Sequence, residues 1–237
     1  MELIRISREL SQDVSGLEFG PPVTHVYNPL EYARRTHEEY LMRYGTGPKQ
    51  VLLVGMNPGP FGMAQTGVPF GDVEMVRGWL RIEGEVSKPN PEHPKRPIEG
   101  FRTRRGEVSG ARLWGWARAR SGEPERFFRR FFVWNYCPLC FMEASGRNRT
   151  PDKLPAAERD ALFRVCDQTL RRIVAATNPK YAVGVGRFAE SRLWAALPDS
   201  DLVIGHMPHP SPASPAANRG WEAQADGALG ALGIRLK

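Results

Sequence analysis

Short, continuously apolar runs recur along the chain, and each is typical of a β-strand that is buried on both faces. The four clearest runs are Val51 to Met56, Phe131 to Tyr136, Tyr181 to Val185 and Leu202 to Gly205. A strand with one face in water would alternate apolar and polar residues, whereas these runs do not. The pattern therefore predicts four buried strands.

Helical spacing of apolar residues fills much of the chain between these runs. Asn28 can cap a helix that has Pro29 in its first position, and Leu30 to Tyr44 continues that helix as far as Gly45. Three further helices are predicted: one on the stripe from Leu162 to Val174, one over Phe188 to Leu197, and a last one from about Pro215 to Leu232.

The alternation of strands and helices predicts an α/β fold. We expect a three-layer α/β/α sandwich in which helices cover both faces of a central four-stranded parallel sheet. No repeat or composition shift marks a boundary, so a single domain over residues 1–237 is expected. Such sheets bind ligands beyond the carboxyl ends of their strands, so functional residues are expected there.

Charge narrows the class of partner. The chain has 33 Lys and Arg against 26 Asp and Glu, a net charge of +7, which favours an anionic partner. Nucleic acid is the first candidate and an anionic membrane surface the second, while a merely solvated basic surface stays open as an alternative. No apolar stretch is long enough to span a membrane and no signal-peptide core begins the chain, so an intracellular, soluble protein is expected.

The three cysteines, Cys137, Cys140 and Cys166, do not form an even disulfide framework. Cys137 and Cys140 make a C-x-x-C pair, which can belong to a zinc site. No further ligands follow at a recognisable spacing, and two buried small side chains explain the pair more simply. We therefore expect neither a metal nor a cofactor.

The segment from Arg81 to Gly110 is polar and rich in proline, and it carries the cluster Arg102, Arg104 and Arg105. Two interpretations remain open for it. It is either an arm that contacts phosphate groups or a solvated surface loop. The loop is slightly favoured, because nothing in the sequence holds the arginines in a defined geometry.

The first predicted strand runs into a loop rich in glycine and proline, GMNPGPFGMAQTGVPFGD. Its glycine spacing differs from that of dinucleotide-binding loops, and Pro58 and Pro60 lack the amide protons such a loop would offer a pyrophosphate. A stiff loop of this kind is suited to forming a pocket wall. Asn57 can both donate and accept hydrogen bonds there, or it can simply bond its own turn, and Phe70 offers a flat apolar face.

The last predicted strand leads into GHMPHPSPASPAANRGW. His209 lies beyond the strand and before the final predicted helix, whose cap would be Ser214, whereas His206 is expected to be structural. The hydroxyl groups of Ser211 and Ser214 at that helix start would suit a phosphate. Asn57 and His209 should meet if the sheet is built as predicted.

The two loops carry a resemblance to a known family. GMNPGPFGMAQTGVPFG and HPSP…NRGW resemble the two motifs of the single-strand-selective monofunctional uracil-DNA glycosylases, within the uracil-DNA glycosylase superfamily. The resemblance extends through VRGWL and VWNYCPLCFM and covers most of the chain from about Tyr27. It implies the fold of that superfamily and hydrolysis of the N-glycosidic bond of uracil and related bases, such as 5-hydroxymethyluracil, by base flipping, leaving an abasic site.

The resemblance also implies roles for individual residues. Asn57 matches an asparagine that positions the attacking water. His209 matches a histidine that donates a hydrogen bond to O2 of the departing base. Asn135 matches an asparagine that accepts from N3–H and donates to O4, and so discriminates against cytosine. Phe70 would stack beneath the base, while Met56, Gly59 and Met63 would line the pocket near C5 and the sugar.

The second motif is expected to contact DNA. The residues assigned to this contact are Ser211, Pro212, Ser214, Pro215 and Asn218. Many relatives carry an arginine after HPSP that helps to push the base out, and this chain has Ala213 there. A weaker wedge would favour substrates that are easy to open, such as mismatched or single-stranded DNA.

The expected partner is therefore damaged DNA, single- or double-stranded, bound by a monomeric enzyme that works inside the cell where DNA is found. A nucleic-acid-binding module without catalysis is the alternative. It would explain the basic charge and the second motif, but gives no reason for Asn57, Asn135 and His209 to meet around an apolar pocket. Neither motif contains a lysine, so no Schiff-base lyase chemistry is expected.

Overall fold

A computed structural model of the protein describes residues 2–214 and 217–236. In chain order the helices and strands are α1 (Glu2–Ser15), β1 (Val23–Tyr27), α2 (Pro29–Tyr32), α3 (Arg34–Tyr44), β2 (Val51–Gly55), α4 (Met63–Thr66), α5 (Val73–Gly78), α6 (Val108–Ser121), α7 (Pro124–Phe128), β3 (Phe131–Asn135), β4 (Cys140–Glu143), β5 (Asn148–Arg149), α8 (Ala156–Thr177), β6 (Tyr181–Val185), α9 (Arg187–Ala196), β7 (Val203–Met207) and α10 (Trp221–Ala231). Short 3₁₀ turns occupy Gly100–Arg102, Pro151–Lys153 and Ala217–Arg219.

The central sheet is the one predicted from the apolar runs. Its four strands are parallel and lie in the order β3-β2-β6-β7. Every residue of β2, β3 and β6 is buried, as expected for strands covered by helices on both faces. The fourth strand, β7, is at the edge of the sheet, runs from Val203 to Met207 and is only partly buried, so the prediction of full burial was wrong for it. The chain moves from β2 to β3 on one side and then to β6 on the other. The carboxyl end of β2 therefore lies where the strand order reverses, which is the usual place for a ligand.

A second, antiparallel sheet was not predicted. It has three strands in the order β1-β4-β5, and β1 pairs with β4 with an irregularity in register between Val23 and His25. These strands are only two to five residues long. β1 and β4 are far apart in the chain, and β5, although it follows β4 closely, is only two residues long, so local patterning gives little indication of either pairing.

The helix expected from Leu30 to Tyr44 is interrupted. Asn28 caps it as predicted, because its side chain accepts a hydrogen bond from Leu30 N at 3.2 Å, and Pro29 is the first helical residue. A break at Ala33 then separates α2 from α3. Ala33 is fully buried against the turn at Gly67, and this tertiary contact takes precedence over helix continuity.

The final helix begins later than predicted. It was expected from about Pro215 with Ser214 as its cap, but α10 starts at Trp221, with Gly220 in the left-handed conformation before it. The hydroxyl of Ser211 instead accepts a hydrogen bond from Ala213 N at 3.2 Å, which forms a local turn. Pro215 lies outside the described residues.

The segment from Arg81 to Gly110 is not a solvated loop throughout, because Ile82, His93, Ile98 and Phe101 are buried.

None of the helices in residues 2–214 and 217–236 has the length and apolar character needed to cross a bilayer.

Candidate active site

A cavity of about 410 Å³ opens at the carboxyl ends of the parallel strands. Its volume falls within the usual range for small-molecule sites. It is lined by Met56, Asn57, Gly59, Pro60, Gly62, Met63, Phe70, Glu107, Ser109, Asn135, Asn148, Thr150, His209, Ser211 and Pro212. Both candidate catalytic residues and all five candidate base-binding residues therefore meet at one cavity.

Asn57 is held by contacts from a distant part of the chain. Cys137 N donates to Met56 O at 2.9 Å, which extends the pairing of β2 with β3 past the end of the strands. The Asn57 side chain then donates from Nδ2 to Leu139 O at 3.1 Å and to Pro58 O at 3.3 Å. Because Nδ2 is used in these bonds, Oδ1 is the atom suited to accept a hydrogen bond from a bound molecule. Asn57 is thus more than a residue that bonds its own turn.

Cys137 of the C-x-x-C pair contributes to this arrangement twice, because its backbone N donates to Met56 O and its Sγ accepts from Leu139 N at 3.4 Å. Cys137 and Cys140 are fully buried free thiols on either side of Leu139, and burial raises the pKa of Cys140 to about 12. Among residues 2–214 and 217–236, no cluster of His, Cys, Asp and Glu is arranged to hold a metal ion.

His209 is a neutral hydrogen-bond donor at the cavity. Its Nδ1 accepts from Ser211 N at 3.1 Å, so the proton of the neutral ring resides on Nε2. Burial lowers the pKa of His209 to about 4, because the imidazolium form would lose its hydration. The ring therefore offers an Nε2–H group at neutral pH without carrying a charge.

A glycine at the end of β6 makes room for this ring. Gly186 has a φ of 97°, and a Cβ placed there would lie 3.2 Å from His209 Cβ. The left-handed backbone conformation and the close approach both favour glycine. His206 lies in β7, and its Nδ1 is 3.0 Å from Glu190 Oε1 on α9. His206 is thus held by a structural contact, as expected.

Asn135 lies beside the end of β2. It pairs with Gly55 in the parallel register, is 5% exposed, and donates from Nδ2 to Met63 Sδ at 3.2 Å. A Cβ on Gly55 would collide with Asn135 Oδ1 and would lie 2.6 Å from Phe70 Cε2. Gly55 therefore permits the amide and the aromatic ring to share one wall of the cavity.

Phe70 occupies a strained backbone conformation. Its φ is 53°, which is unfavourable for a bulky side chain, and the ring is 8% exposed. Thr66 stabilises the turn, since its Oγ1 accepts from Val68 N at 3.3 Å and donates to Gly71 O at 3.2 Å. The Phe70 ring centroid lies 6.1 Å from that of His209. The fold thus holds a flat apolar face next to the imidazole.

The second-motif residues separate into two groups. Ser211 and Pro212 line the cavity, whereas Ser214 and Asn218 do not. Ser214 N donates to Ser211 O at 3.0 Å. The exposed Asn218 donates from Nδ2 to Pro212 O at 2.9 Å and accepts from Arg112 Nη2 at 2.9 Å.

Four polar cavity residues were missed by sequence reasoning: Glu107, Ser109, Asn148 and Thr150. Glu107 caps α6 by accepting hydrogen bonds from Ser109 N and Gly110 N, and burial raises its pKa. Glutamate is not among the residues preferred at a helix cap, so this role is difficult to recognise from the sequence. Asn148 and Thr150 come from the small sheet and its following turn, and their position depends on pairing that the sequence did not reveal.

Comparison with known proteins identifies relatives of this chain. The sequence profile of the uracil DNA glycosylase superfamily matches residues 42–226. A protein from Rattus norvegicus named single-strand selective monofunctional uracil-DNA glycosylase is 51% identical over 235 residues, which are 98% of this chain and 83% of the rat protein. The protein of that name from Bos taurus is 52% identical over 235 residues, covering 98% of this chain and 85% of the bovine protein.

A solved structure shares the fold. The crystal structure of wild-type Pedobacter heparinus SMUG2 matches with a TM-score of 0.67 at 19% identity, covering 96% of this chain and 97% of that one. At this identity the likeness concerns the fold alone. The profile match and the near-full-length relatives show that this chain belongs to the single-strand-selective monofunctional uracil-DNA glycosylases of the uracil-DNA glycosylase superfamily.

Proposed function

We propose that this uracil-DNA glycosylase hydrolyses the N-glycosidic bond of uracil and of 5-substituted uracils in DNA, after the nucleotide is flipped into the cavity. The observation that carries the proposal is the convergence of Asn57, Asn135 and His209 on one cavity. These residues supply an acceptor for water, an amide for the base and a donor for the leaving group. A module that only bound nucleic acid would not need these three groups together.

Asn57 would position the attacking water. Its Nδ2 is used by Leu139 O at 3.1 Å, which leaves Oδ1 to accept a hydrogen bond from the water. A neutral amide orients water but is a poor proton acceptor, so bond breaking should run ahead of water attack. The C1′–N1 bond breaks with its electron pair left on the base, the water oxygen bonds to C1′, and the surplus water proton passes to solvent.

His209 would stabilise the departing base anion. Its Nε2–H group can donate to O2 as negative charge accumulates there, while Ser211 N holds the opposite side of the ring. A donor fixed in advance reduces the activation free energy by roughly 3 kcal/mol in comparable sites. The base need not take the proton, because hydrogen bonding alone stabilises the charge.

Asn135 would select uracil over cytosine. An amide fixed by β3 and by Met63 can accept from N3–H and donate to O4 of uracil. Cytosine presents the reverse pattern at those two atoms. Binding it would leave buried polar groups unpaired, at a cost of about 1–3 kcal/mol for each group.

Gly59 supports activity on bases with a substituent at C5. It lines the cavity, and a Cβ built on it would have no neighbour within 4 Å. Open space at this wall can accept a small group such as hydroxymethyl. Filling it with Gly59→Val should therefore slow release of 5-hydroxymethyluracil more than release of uracil.

The tip of the second motif supports a preference for easily opened DNA. Pro212 and Ala213 are exposed at this tip, and alanine has no long side chain to insert into a base stack. Unstacking and unpairing require the least free energy in single strands and mismatches.

Acting on DNA also implies that the protein works inside the cell, where its substrate is found.

The direct test uses oligonucleotides that each contain one uracil, offered single-stranded, mismatched and fully paired. The protein is incubated with each substrate, and alkali then cleaves the strand at any abasic site. We expect cleavage that is fastest in the single strand, and no covalent DNA adduct after borohydride treatment. Binding without any uracil release would refute the glycosylase proposal.

A further inference from the structure

A second cavity of about 360 Å³ lies next to the active site. We call it the arginine cleft, because guanidinium groups dominate its lining. The lining residues that matter here are Phe61, Arg96, Glu99, Arg102, Arg104 and Arg105. They include the three arginines for which sequence analysis left both a phosphate-contacting arm and a solvated loop open.

The arginine cleft and the active-site cavity share a wall. Phe61 lines the cleft, while its two chain neighbours, Pro60 and Gly62, line the active-site cavity. One turn of the glycine-rich loop thus separates the two spaces. A polymer whose one unit entered the active site would have adjoining units within reach of the cleft.

A buried glutamine fixes the arginine segment to the active-site loop. Gln65 is 2% exposed, and its Nε2 donates to Pro60 O at 3.0 Å and to Pro97 O at 3.1 Å. Its Oε1 accepts from Glu99 N at 2.8 Å and from Gly100 N at 3.0 Å. Three of these bonds hold the arginine segment and the fourth holds the active-site loop, so the segment has a defined position that the sequence did not reveal.

The backbone at Arg96 is anchored from the other side. Tyr27 of β1 is fully buried, and its hydroxyl donates to Arg96 O at 2.9 Å and accepts from His93 N at 2.6 Å. The small antiparallel sheet thus helps to position the cleft.

The cationic groups of the cleft lack protein anions. Within residues 2–214 and 217–236, no ion pair involves Arg96, Arg102, Arg104 or Arg105. Glu99 is the acidic side chain among the residues that line the cleft. Four guanidinium groups against one carboxylate leave a strongly positive space.

Two of these arginines are prepared for a ligand. The buried Nε of Arg96 has no hydrogen-bond partner among the described residues, so the protein holds this guanidinium by hydrogen bonding only through Nη1, which donates to Lys95 O at 2.8 Å. The guanidinium carbon of Arg105 lies 3.9 Å from the centroid of the Phe61 ring, and that of Arg96 lies 5.4 Å from it. Contact with the ring restricts both groups and so reduces the entropy they would lose on binding.

We infer that the arginine cleft binds phosphate groups of the DNA strand that carries the target base, next to the flipped nucleotide. The inference rests on the proposed function, because it is the flipped base that brings its own strand to the shared wall. Guanidinium groups match phosphate oxygens in geometry as well as in charge. The cleft would thus hold the strand by its backbone, independently of sequence.

The test compares two triple variants of equal charge. One is Arg102→Gln/Arg104→Gln/Arg105→Gln, which removes three exposed cations of the cleft. The control is Arg118→Gln/Arg126→Gln/Arg129→Gln, which removes three exposed cations elsewhere. Arg126 and Arg129 lie just before the amino end of β3, whereas the active site lies at the carboxyl ends of the strands. Fluorescence anisotropy gives the affinity of each protein for a uracil-free single strand of about 20 nucleotides, at several salt concentrations.

We expect the cleft variant to bind that strand roughly tenfold more weakly than wild type, with a salt slope smaller by about 2. The control variant should lose less than about threefold. Uracil release from the long strand should also be slower in the cleft variant than in the control variant. For the cleft variant, kcat/KM should fall more on the long strand than on a trinucleotide with a central uracil. Retained release from the trinucleotide also shows that the variant is folded.

Equal losses in the two triple variants, or an unchanged salt slope in the cleft variant, would overturn the inference. Those outcomes leave the glycosylase proposal standing, because wild-type uracil release is measured separately. Conversely, the wild-type protein could bind the strand as expected and yet release no uracil. That result would refute the glycosylase proposal but would leave phosphate binding by the cleft intact.

Discussion

Asn57 and His209 illustrate how single residues acquire a chemical role from their backbone partners. The Leu139 carbonyl holds one side of the amide, and Ser211 N holds one side of the imidazole. Each side chain therefore presents a defined atom to the cavity. We predict that Asn57→Ala and His209→Ala each slow uracil release by at least about a hundredfold, the usual loss for one preorganised polar group. Single-turnover rates measure this loss.

DNA affinity should change little in the same two variants, because phosphate contacts supply most of it. Anisotropy with uncleaved DNA is the matching control. Full activity in both variants would exclude the proposed mechanism.

The ionisation of His209 leads to a pH prediction. Its pKa of about 4 keeps the ring neutral throughout the physiological range, with Nε2–H as donor. We expect the single-turnover rate to be flat from about pH 5.5 upward and to fall only as Nδ1 is protonated near its pKa. Below that pH, Nδ1–H would oppose Ser211 N–H. An inflection between pH 6 and 7 that vanished in His209→Asn would contradict a neutral donor.

Asn135 permits a test of base recognition. Asn135→Asp keeps an acceptor for N3–H but replaces the donor to O4 with a second acceptor, so uracil release should fall roughly a hundredfold at neutral pH. The rate should recover partly as the pH is lowered, since a protonated carboxyl group can donate again. Asn148→Asp in the same cavity is the matched control and should lose less. An unchanged rate in Asn135→Asp would remove its assigned role.

At the scale of elements, α6 supports the second motif through Arg112. Its Nη1 donates to Pro210 O at 3.0 Å and its Nη2 to Asn218 Oδ1 at 2.9 Å. Trp221 Nε1 of α10 adds a bond to Pro208 O at 2.8 Å. The irregular segment after β7 is therefore held from two helices, which keeps His209 at the cavity.

We predict that Arg112→Ala lowers the rate of uracil release about tenfold by loosening this segment, since small displacements of a catalytic group are costly. Arg112→Lys should restore only part of the rate, because an ammonium group cannot span both partners. Limited proteolysis should cut the loosened segment faster in Arg112→Ala. Arg118→Ala, on an exposed position of the same helix, is the control. Equal rates for the two alanine variants would refute a positioning role for Arg112.

The stability of the protein depends on pH through the buried His37 and the partly buried His209. Burial lowers the pKa of both His37 and His209 from 6.5 to about 4. Between these pH values the unfolded chain binds protons that the native state does not, so the free energy of unfolding decreases as the pH falls from about 6.5 towards 4. The loss is about 3 kcal/mol for the fully buried His37 and smaller for the partly buried His209, whose charge is better screened by solvent.

Urea unfolding at a series of pH values measures this dependence. His37→Gln and His209→Asn should each show a shallower decrease than wild type, by up to one proton in the linkage slope. If the free energy of unfolding depended on pH as steeply in both variants as in wild type, these histidines would not be the cause of that dependence.

The predictable part of this protein was local in sequence. The four strands of the parallel sheet were evident because each is a continuous apolar run, although β7 is buried only in part. The cap at Asn28 followed from adjacent residues. The two motifs identified Asn57, Asn135 and His209 as site candidates. The late start of α10 and the break at Ala33 were not predictable, because tertiary contacts decided both.

The parallel sheet and the residue types at its carboxyl ends could be predicted from the amino-acid sequence, since neighbouring residues encode strand burial and motif chemistry. The entry of Glu107 into the active-site cavity, and the hydrogen bonds by which Gln65 ties the arginine segment to the catalytic loop, became evident only in the three-dimensional fold. Those outcomes depend on hydrogen bonds between segments far apart in the chain. Such bonds form only when the whole fold brings their partners together.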